Sequence, residues 1–331
     1  MNPSSFLSDS GASQRRTKPR PLSRLMACVA ATFGLAAPLL CHATESGIGR
    51  PITGMQIAPY AGIVPPTSDW IVSITSIYYE GSLGKSKTIP IANTISAGLD
   101  YRISYNLLNA IKTWGITANG WNFASSFGVP VQYTSVSSFH GILPNDSATQ
   151  FADLFFTPVI AGYHLTKTDH IALSVQMYAP TGPYSTSRLA NSGQNTWTFI
   201  PTVAYTKLFP AQEVELSANY GMEFYTTNSA SHYHNAPVSV LDLLALKRFK
   251  GGWGIGVAGG WIQQIGNDSG GLADITGGAS GHAIGIGPIA TWSGKLSKTP
   301  VSASLRWINE FEVRNRPKGN AFQLSVNATF E

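Results

Sequence analysis

The chain has 331 residues and a formal net charge of +5, and only 12% of its residues are Asp, Glu, Lys or Arg. This charged fraction is about half of that in ordinary soluble domains. Most of the excess positive charge lies in residues 1–43 and the remainder is close to neutral, so the composition gives no sign of a nucleic-acid-binding surface. Residues 44–331 contain no uninterrupted apolar run of about 18 residues, which excludes membrane-spanning helices.

Residues 1–43 are predicted to be a secretory signal peptide. A basic region ends at Arg24, an apolar stretch runs from Leu25 to Leu40, and Cys41-His42-Ala43 supplies small residues before a cleavage site. Both cysteines of the sequence fall inside this segment. The mature chain is therefore predicted to lack disulfides, thiol catalysis and cysteine-based metal sites.

Residues 44–69 are rich in glycine and proline, which predicts an irregular lead-in or a segment inside the lumen of the following domain. Residues 70–331 are predicted to form that domain. They contain twelve strand-like runs, near residues 70–79, 94–108, 116–133, 151–165, 170–180, 196–207, 213–226, 238–249, 253–264, 281–292, 301–312 and 320–330.

The hairpin from Thr196 to Phe224 shows the pattern of these runs most clearly. In its second half, apolar residues such as Leu216 and Tyr220 alternate with polar residues such as Glu215 and Asn219. Side chains of a strand point alternately to its two faces, so one face is apolar and the other polar. Runs of about ten residues or more suffice for a tilted strand to cross a membrane.

The connections between the runs alternate between short and long. Short turns are predicted at Trp114-Gly115, at 166–169, 209–212 and 250–252, and around 294–300, whereas the intervening loops are mostly longer. This asymmetry is typical of outer-membrane barrels, which have short periplasmic turns and long outer loops. We therefore predict an all-β fold, a transmembrane antiparallel up-and-down β-barrel of about twelve strands (range about 10–14), in the outer membrane of a Gram-negative cell.

Aromatic residues near the ends of the runs predict interfacial girdles, because aromatic rings settle at the depth of the lipid headgroups. Trp70, Trp253, Trp292 and Phe330 are predicted at the periplasmic rim, and Trp197 and Trp261 at the outer rim. The alternating apolar residues of the last run, 320–330, are typical of the terminal strand that the barrel-assembly machinery recognises. Glu331 after Phe330 departs from the usual aromatic terminus.

Four stretches resemble the outer-membrane β-barrel family of the phenol-degradation meta-pathway. They are Met55–Pro66 (MQIAPYAGIVPP), Tyr178–Tyr205 (YAPTGPYSTSRLANSGQNTWTFIPTVAY), Gly251–Ser269 (GGWGIGVAGGWIQQIGNDS) and Arg306–Phe322. The resemblance implies an outer-membrane barrel associated with the breakdown of aromatic or other hydrophobic compounds and suspected of uptake. It supplies no catalytic residues.

Polar and charged residues on the parity opposite the apolar face are predicted to line the lumen, because an Arg or Lys facing lipid near the midplane costs about 2–4 kcal/mol. The predicted lumen-lining residues are Asp100, Arg102, Asn106, Glu213, Glu215, Asn219, Glu223, Asp242, Arg248, Arg306 and Glu310. About twelve strands leave a narrow interior. The polar filling therefore serves either to stabilise the barrel alone or to line a narrow, partly apolar route. Tyr184, Arg188 and Trp197 are predicted to form an outer capture point.

Other chemistry finds little support in the sequence. Asn267 to Gly271 resembles the nucleophile segment of trypsin-like proteases, and this loop or the pair His232 and His234 offers isolated metal ligands. A triad needs a preformed cleft, and a metal site needs three or more ligands. We therefore predict no enzyme activity, no catalytic residues, no metal and no cofactor.

The sequence favours a passive channel for small hydrophobic or aromatic compounds. The alternatives are a non-transporting structural or adhesive barrel and, less favoured, a barrel hydrolase. The predicted partners are outer-membrane lipid and lipopolysaccharide, the barrel-assembly machinery and a small hydrophobic permeant, with no nucleic acid.

Overall fold

The computed structural model describes residue 45 and residues 47–84, 88–91, 94–140 and 144–331. The predicted signal peptide, residues 1–43, lies outside the described residues. No helix within the described part of the chain is long and apolar enough to cross a membrane.

The described residues form fourteen β-strands in one antiparallel sheet. In chain order they are β1 Trp70–Ser82, β2 Thr88–Ile91, β3 Thr94–Ala118, β4 Trp121–His140, β5 Asp146–Phe151, β6 Phe155–His164, β7 Asp169–Tyr178, β8 Thr198–Phe209, β9 Val214–Tyr225, β10 Val238–Arg248, β11 Trp253–Gln264, β12 His282–Leu296, β13 Thr299–Arg314 and β14 Lys318–Phe330.

Twelve of these strands close into a barrel. β1 pairs with β3 on one side and with β14 on the other, so the sheet returns to its start and has no free edge along the ring. The remaining two, β2 and β5, are short strands that pair with β3 and β4. The prediction of an up-and-down barrel of about twelve strands is confirmed.

The outer face of the barrel is apolar. Leu216, Tyr220 and Phe224 of β9 are 43%, 43% and 45% exposed, whereas Glu215 and Glu223 on the opposite face are buried. Exposing such a continuous apolar surface to water would be costly, so hydrocarbon must cover it. The apolar residues of the alternating pattern therefore face the lipid, and the polar residues face the interior of the barrel.

Aromatic residues flank this apolar surface at the strand ends. At the end formed by the short turns, Trp70 is the register partner of Phe330, and Trp253 that of Trp292. At the opposite end of β8 Trp197 stacks on Phe199, whereas Trp307 and Phe322 stack nearer the middle of β13 and β14. The rings at the strand ends occupy the positions expected of the two headgroup interfaces.

The β3–β4 turn lies further along the chain than the sequence predicted. β3 continues past Trp114-Gly115 to Ala118, with a register irregularity between Thr113 and Thr117, and the chain reverses at Asn119-Gly120. Both turn residues have positive φ, 50° and 83°. Asn-Gly adopts this conformation readily and matches the twist of the strands, whereas the Trp114 indole pairs instead with Ser125 across the hairpin.

Residues 47–69, called here the lumen segment, run through the interior of the barrel. The neighbouring residue Glu45 bonds to Tyr184, Asn228 and Asn235, all of which lie in the long outer loops. At the far end, the Asp69 amide donates to Thr113 beside the periplasmic turns. The segment therefore spans the lumen from its outer end to the start of β1.

Candidate functional site

Three buried carboxylates of the wall hold the lumen segment by its backbone and one hydroxyl. Asp242 of β10 accepts from the amides of Gly54 at 3.1 Å and Gln56 at 2.7 Å. Glu215 of β9 accepts from the Tyr60 amide at 2.6 Å, and Glu310 of β13 accepts from the Thr53 hydroxyl at 2.6 Å.

Each of these carboxylates stands on the inward parity of its strand, opposite the lipid face. A buried carboxylate is tolerated only where donors satisfy it, and an irregular segment offers free backbone N–H groups that a strand does not. The acidic lumen and the glycine-rich segment therefore satisfy one another.

Cations of the wall complete the same network. Arg306 donates to the Gly54 carbonyl at 2.9 Å, and Arg316 donates to the Pro51 carbonyl at 2.9 Å. Arg248 donates to Glu215, and its guanidinium lies 4.1 Å from the centre of the Tyr60 ring. The segment is thus held through both its hydrogen-bond donors and its acceptors. A Cβ added at Gly260 would collide with the Gly54 nitrogen, so the backbones of β11 and the lumen segment lie close together.

Arg50 fixes the segment to the β6–β8 side. Its guanidinium pairs with Asp153 at 2.7 Å, donates to the Thr198 hydroxyl at 3.1 Å and lies 4.7 Å from the centre of the Tyr178 ring. The two side chains of the ion pair are only 8% and 0% exposed. Their charges are therefore neutralised by one another rather than by water.

A cavity of about 330 Å³ lies between the lumen segment and the wall formed by β1, β3, β4, β6 and β7. Half of its lining residues are aliphatic or aromatic, and the others are mainly amide and hydroxyl side chains together with the Arg50–Asp153 pair. The apolar lining residues are Ile48, Ile52, Met55, Ile77, Tyr101, Ile103, Tyr105, Leu107, Val136, Ala152, Phe155, Tyr178 and Leu189. Apolar cavities of about 150 Å³ hold a benzene molecule, so this space suffices for a small aromatic compound.

Seven of the predicted lumen-lining residues face the interior. Glu215, Glu223, Asp242, Arg306 and Glu310 are buried there, Arg248 contacts Glu215, and Asn219 is the register partner of Asp242. On β10, Leu244 and Leu246 share the inward face of Asp242, so this part of the wall is both apolar and charged.

Four predicted lumen residues lie elsewhere. Asp100 and Arg102 are exposed and border an open polar depression with Lys318 near the outer end, and Asn106 is exposed and bonds to Ser76. Glu213 is exposed at the periplasmic turn, where its carboxylate lies 3.4 Å from the Lys247 ammonium.

For β3 the prediction chose the wrong face of the strand. Tyr101, Ile103 and Tyr105 point inward because the apolar residues of the lumen segment pack there. The polar residues that alternate with them, such as Asp100 and Arg102, face outward near the outer end of the barrel, where water is accessible. Alternation alone does not say which face meets lipid.

The three predicted capture residues contact different partners. Tyr184 donates to Glu45 at 2.7 Å, and Arg188 forms two bonds to Asp146 of β5, at 2.9 and 2.7 Å. Trp197 is 40% exposed and packs on the outer face against Phe199. The structure thus places the loop around Arg188 against β5 and places Trp197 in the aromatic girdle.

The electrostatics of this outer loop follow from those contacts. The hydrogen bonds from Arg188 lower the pKa of the Asp146 carboxyl, and burial raises the pKa of the Tyr184 hydroxyl. Asp146 also accepts from the Ala190 amide at 3.1 Å. One carboxylate therefore fastens the loop over the side of the cavity formed by Leu189 and its neighbours.

The protease-like segment does not assemble a triad. Asp268 accepts from the Tyr233 hydroxyl, the Ala236 amide and the Gln264 amide group, while Ser269 pairs with His234 through backbone hydrogen bonds. Asp268 is thus buried and occupied by three donors whereas Ser269 is exposed, so the loop does not form the preformed cleft that a triad needs. Within the described residues, no group of three or more His, Cys, Asp or Glu side chains is placed to hold a metal ion.

Sequence reasoning missed the contribution of the lumen segment and of the residues that meet it. Arg50, Asp153 and Gln323 were not identified, although all three border the cavity. One signal could have found the segment's role: acidic residues on the inward parity need donors, and the irregular stretch before β1 is rich in unpaired backbone N–H groups.

Residues 84–326 match the family described as "Putative MetA-pathway of phenol degradation". The chain belongs to this family. No curated protein sequence matches the chain. The family predicted from the four sequence stretches is thus confirmed.

Solved structures resemble the family member in fold. An outer membrane channel from Pseudomonas putida F1 is 17% identical, with a TM-score of 0.64 over 83% of this chain and 99% of that one. The β domain of the Bordetella autotransporter BrkA is 10% identical (TM-score 0.48, 78% and 98% covered), and the CymD monoaromatic hydrocarbon channel is 8% identical (TM-score 0.41, 88% and 98% covered).

At these identities the likeness concerns the fold. A closed twelve-stranded barrel with an apolar outer face, in a family whose fold matches an outer membrane channel, is an outer-membrane protein of a Gram-negative cell. Membrane lipid is therefore its surroundings.

Proposed function

We propose that the barrel is a passive channel for the uptake of small hydrophobic or aromatic compounds that feed phenol or aromatic degradation. The observation that carries the proposal is the cavity of about 330 Å³ between the lumen segment and the wall formed by β1, β3, β4, β6 and β7. A segment that only stabilised the barrel would be expected to fill the interior evenly, as close-packed protein interiors do. Here it leaves space on one side.

The chemistry of the cavity suits uncharged permeants. Ile77, Ile103 and Leu107 provide apolar contact, Tyr105 and Tyr178 provide aromatic surface, and the nearby amides offer weak polar contacts. Apolar pockets with a few convergent polar groups are the usual form of small-molecule sites. The family description and the barrel fold support the same assignment.

The outer loops have a place in this proposal. The loop of Tyr184 and Arg188 borders the cavity through Leu189, so we assign capture to that loop, with the interfacial Trp197 next to it on the outer face. Replacing all three residues by alanine should slow the uptake of an aromatic growth substrate without reducing the amount of barrel in the membrane.

Uptake by purified protein in liposomes tests the channel. Liposomes carrying the barrel should take up toluene or phenol faster than protein-free liposomes, and a deletion strain should grow more slowly on a low concentration of an aromatic carbon source. Equal uptake with and without the barrel would reject the channel in favour of a structural or adhesive barrel. Turnover of an ester that is lost in Ser269→Ala would instead indicate a hydrolase.

A further inference from the structure

Lysine side chains gather at the periplasmic rim, the end of the barrel formed by the short turns. The cations of this rim are Lys112, Lys167, Lys207, Lys247, Lys250, Lys295 and Lys298. Its carboxylates are Asp69, Asp169, Glu213 and Glu331. Among the described residues, this rim therefore carries more positive than negative charge, although residues 44–331 as a whole are close to neutral.

The opposite end of the barrel is balanced on the outward face that the structure describes. The exposed cations and carboxylates that share one part of this face are Arg102 and Lys318 with Glu80 and Asp100, and Arg314 with Glu312. A phosphate group approaching that face would meet as much negative as positive charge. The cationic excess is thus a property of the periplasmic rim.

Some of the rim lysines already have partners. These pairs are Lys207 with Asp169 at 2.7 Å, Lys247 with Glu213 at 3.4 Å and Lys112 with the Ser68 carbonyl at 3.0 Å. Lys250, Lys295 and Lys298 are exposed and make no hydrogen bond or ion pair to any residue that the structure describes. Lys167 is exposed too, but it stands alone on the β6–β7 turn.

The three exposed lysines lie on neighbouring turns. Lys250 belongs to the β10–β11 turn, Lys295 to the end of β12 and Lys298 to the β12–β13 turn. β11 and β12 are adjacent strands, and Trp253 is the register partner of Trp292 at this end. Lys250, Lys295 and Lys298 therefore form one surface, called here the lysine patch.

Large apolar side chains border the lysine patch. Phe249, Trp253 and Leu296 are 48%, 58% and 63% exposed. Trp253 and Ile255 stand on the same lipid-facing side of β11, and Ile255 is 61% exposed. Because aromatic rings settle at the depth of the lipid headgroups, acyl chains that rest on these side chains have their headgroups level with the lysines.

We propose that the lysine patch binds an anionic phospholipid of the periplasmic leaflet, with the headgroup phosphate at Lys250, Lys295 and Lys298 and the acyl chains along Trp253 and Leu296. A lysine ammonium is a point charge on a flexible stem and suits a phosphate that moves within the headgroup layer. A zwitterionic headgroup brings its own cation and gains less from the patch. This surface lies outside the lumen and does not depend on the channel function.

Native mass spectrometry of the purified full-length protein tests the proposal, with phosphatidylglycerol and phosphatidylcholine of identical acyl chains as the probes. Wild-type protein should bind phosphatidylglycerol about tenfold more tightly, since each lysine near an anionic lipid surface contributes about a factor of five and exposure to water reduces the sum. This preference should shrink as the ammonium acetate concentration rises, because salt screens exposed charges.

The combined variant Lys250→Gln, Lys295→Gln and Lys298→Gln should bring the two affinities to within about twofold of one another. The combined arginine variant, with Lys250→Arg, Lys295→Arg and Lys298→Arg, keeps the charges and should keep the preference. The mobility shift on heating before electrophoresis shows that each variant is folded.

The combined variant Arg102→Gln, Arg314→Gln and Lys318→Gln is the matched control, because it removes the same amount of charge at the opposite end. It should keep the wild-type preference. Equal affinities in wild type, a preference that survives in the lysine-to-glutamine variant, or a preference that is also lost in the control would overturn the proposal. Displacement of phosphatidylglycerol by an equal concentration of soluble glycerol phosphate would overturn it as well, because the acyl chains would then contribute nothing.

Discussion

The two sides of the lumen wall treat the N-terminal segment differently. On the β8–β10 and β13 side, Glu215, Asp242 and Glu310 bond directly to it. On the β1, β3 and β4 side, the lining is uncharged, with apolar side chains beside Thr75, Gln132 and Thr134, and a cavity remains. The wall therefore anchors the segment where it is charged and leaves room where it is uncharged.

This difference has a physical cause. Buried carboxylates demand donors at hydrogen-bond distance and so draw the segment close. Apolar side chains make no such demand and gain from contact with any apolar group, a ligand included. Anchors and a cavity can thus share one narrow interior, because each uses a different kind of interaction.

Deleting residues 48–66 should have the largest effect, because it removes both the anchored part of the lumen segment and the part that borders the cavity. We expect single-channel conductance in planar bilayers to rise several-fold, because the interior of a twelve-stranded barrel then fills with water. The heat-shifted mobility of the folded barrel provides the control. Conductance equal to wild type would mean that the segment does not limit the lumen.

Glu310→Ala should break the charged side alone. It leaves the Thr53 hydroxyl and the Gly319 amide without their acceptor and the Tyr79 hydroxyl with the Pro317 carbonyl alone. We expect the free energy of unfolding in urea to fall by about 2–4 kcal/mol.

Glu312→Ala is the matched control for that variant, because the Glu312 side chain is 65% exposed. Its change should stay within about 0.5 kcal/mol. Equal losses in the two variants would contradict the assignment of Glu310 as an anchor.

Leu107→Trp should fill the cavity without weakening the bonds that anchor the lumen segment. Leu107 lines the cavity, whereas Leu108 points to the lipid and is 54% exposed. We expect toluene uptake into liposomes to fall several-fold in Leu107→Trp and to stay at the wild-type rate in Leu108→Trp. Equal uptake by both variants would show that permeants take another route.

The smallest effect is expected at the outer loop, where Arg188→Gln removes an ion pair that water partly screens. Side-chain exposures of 37% and 20% limit its worth to about 1 kcal/mol or less at pH 7. Because Arg188 lowers the pKa of Asp146, this stability is present above the ordinary carboxyl pKa of about 3.9 and is lost as the pH falls through the lower folded value.

Urea unfolding of wild type and Arg188→Gln at pH 7 and near pH 2 measures this dependence, and Arg314→Gln, at an exposed arginine, serves as the control. The difference between wild type and Arg188→Gln should shrink at the lower pH. A difference that grows on acidification would be the wrong sign.

Much of the barrel could be predicted from alternation and from the spacing of turns. β9 and β10 carry regular apolar and polar faces, and the structure places their carboxylates inside. The extension of β3 to Ala118 was missed because Trp114-Gly115 resembles a turn in sequence. The chain reverses instead at Asn119-Gly120, where both residues have positive φ.

The candidate site was harder to predict, since it depends on contacts between residues far apart in the chain. Gln323 lies 268 residues from Met55, and Arg306 lies 252 residues from Gly54. On β3 the alternation allows either face to point inward, and the packing of Ile52 and Met55 decides that the face of Tyr105 does so. Periodicity carries no information on such partners.

The segment is gripped largely through its main chain, by the amides of Gly54, Gln56, Tyr60 and Gly62. A backbone amide is the same for every amino acid except proline. The side chains of Ile52 and Met55, which face the cavity, are therefore not needed to hold the segment in place. Swapping this stretch between homologues, or evolving it in the laboratory, would change the lining of the cavity while the membrane-embedded scaffold stays untouched.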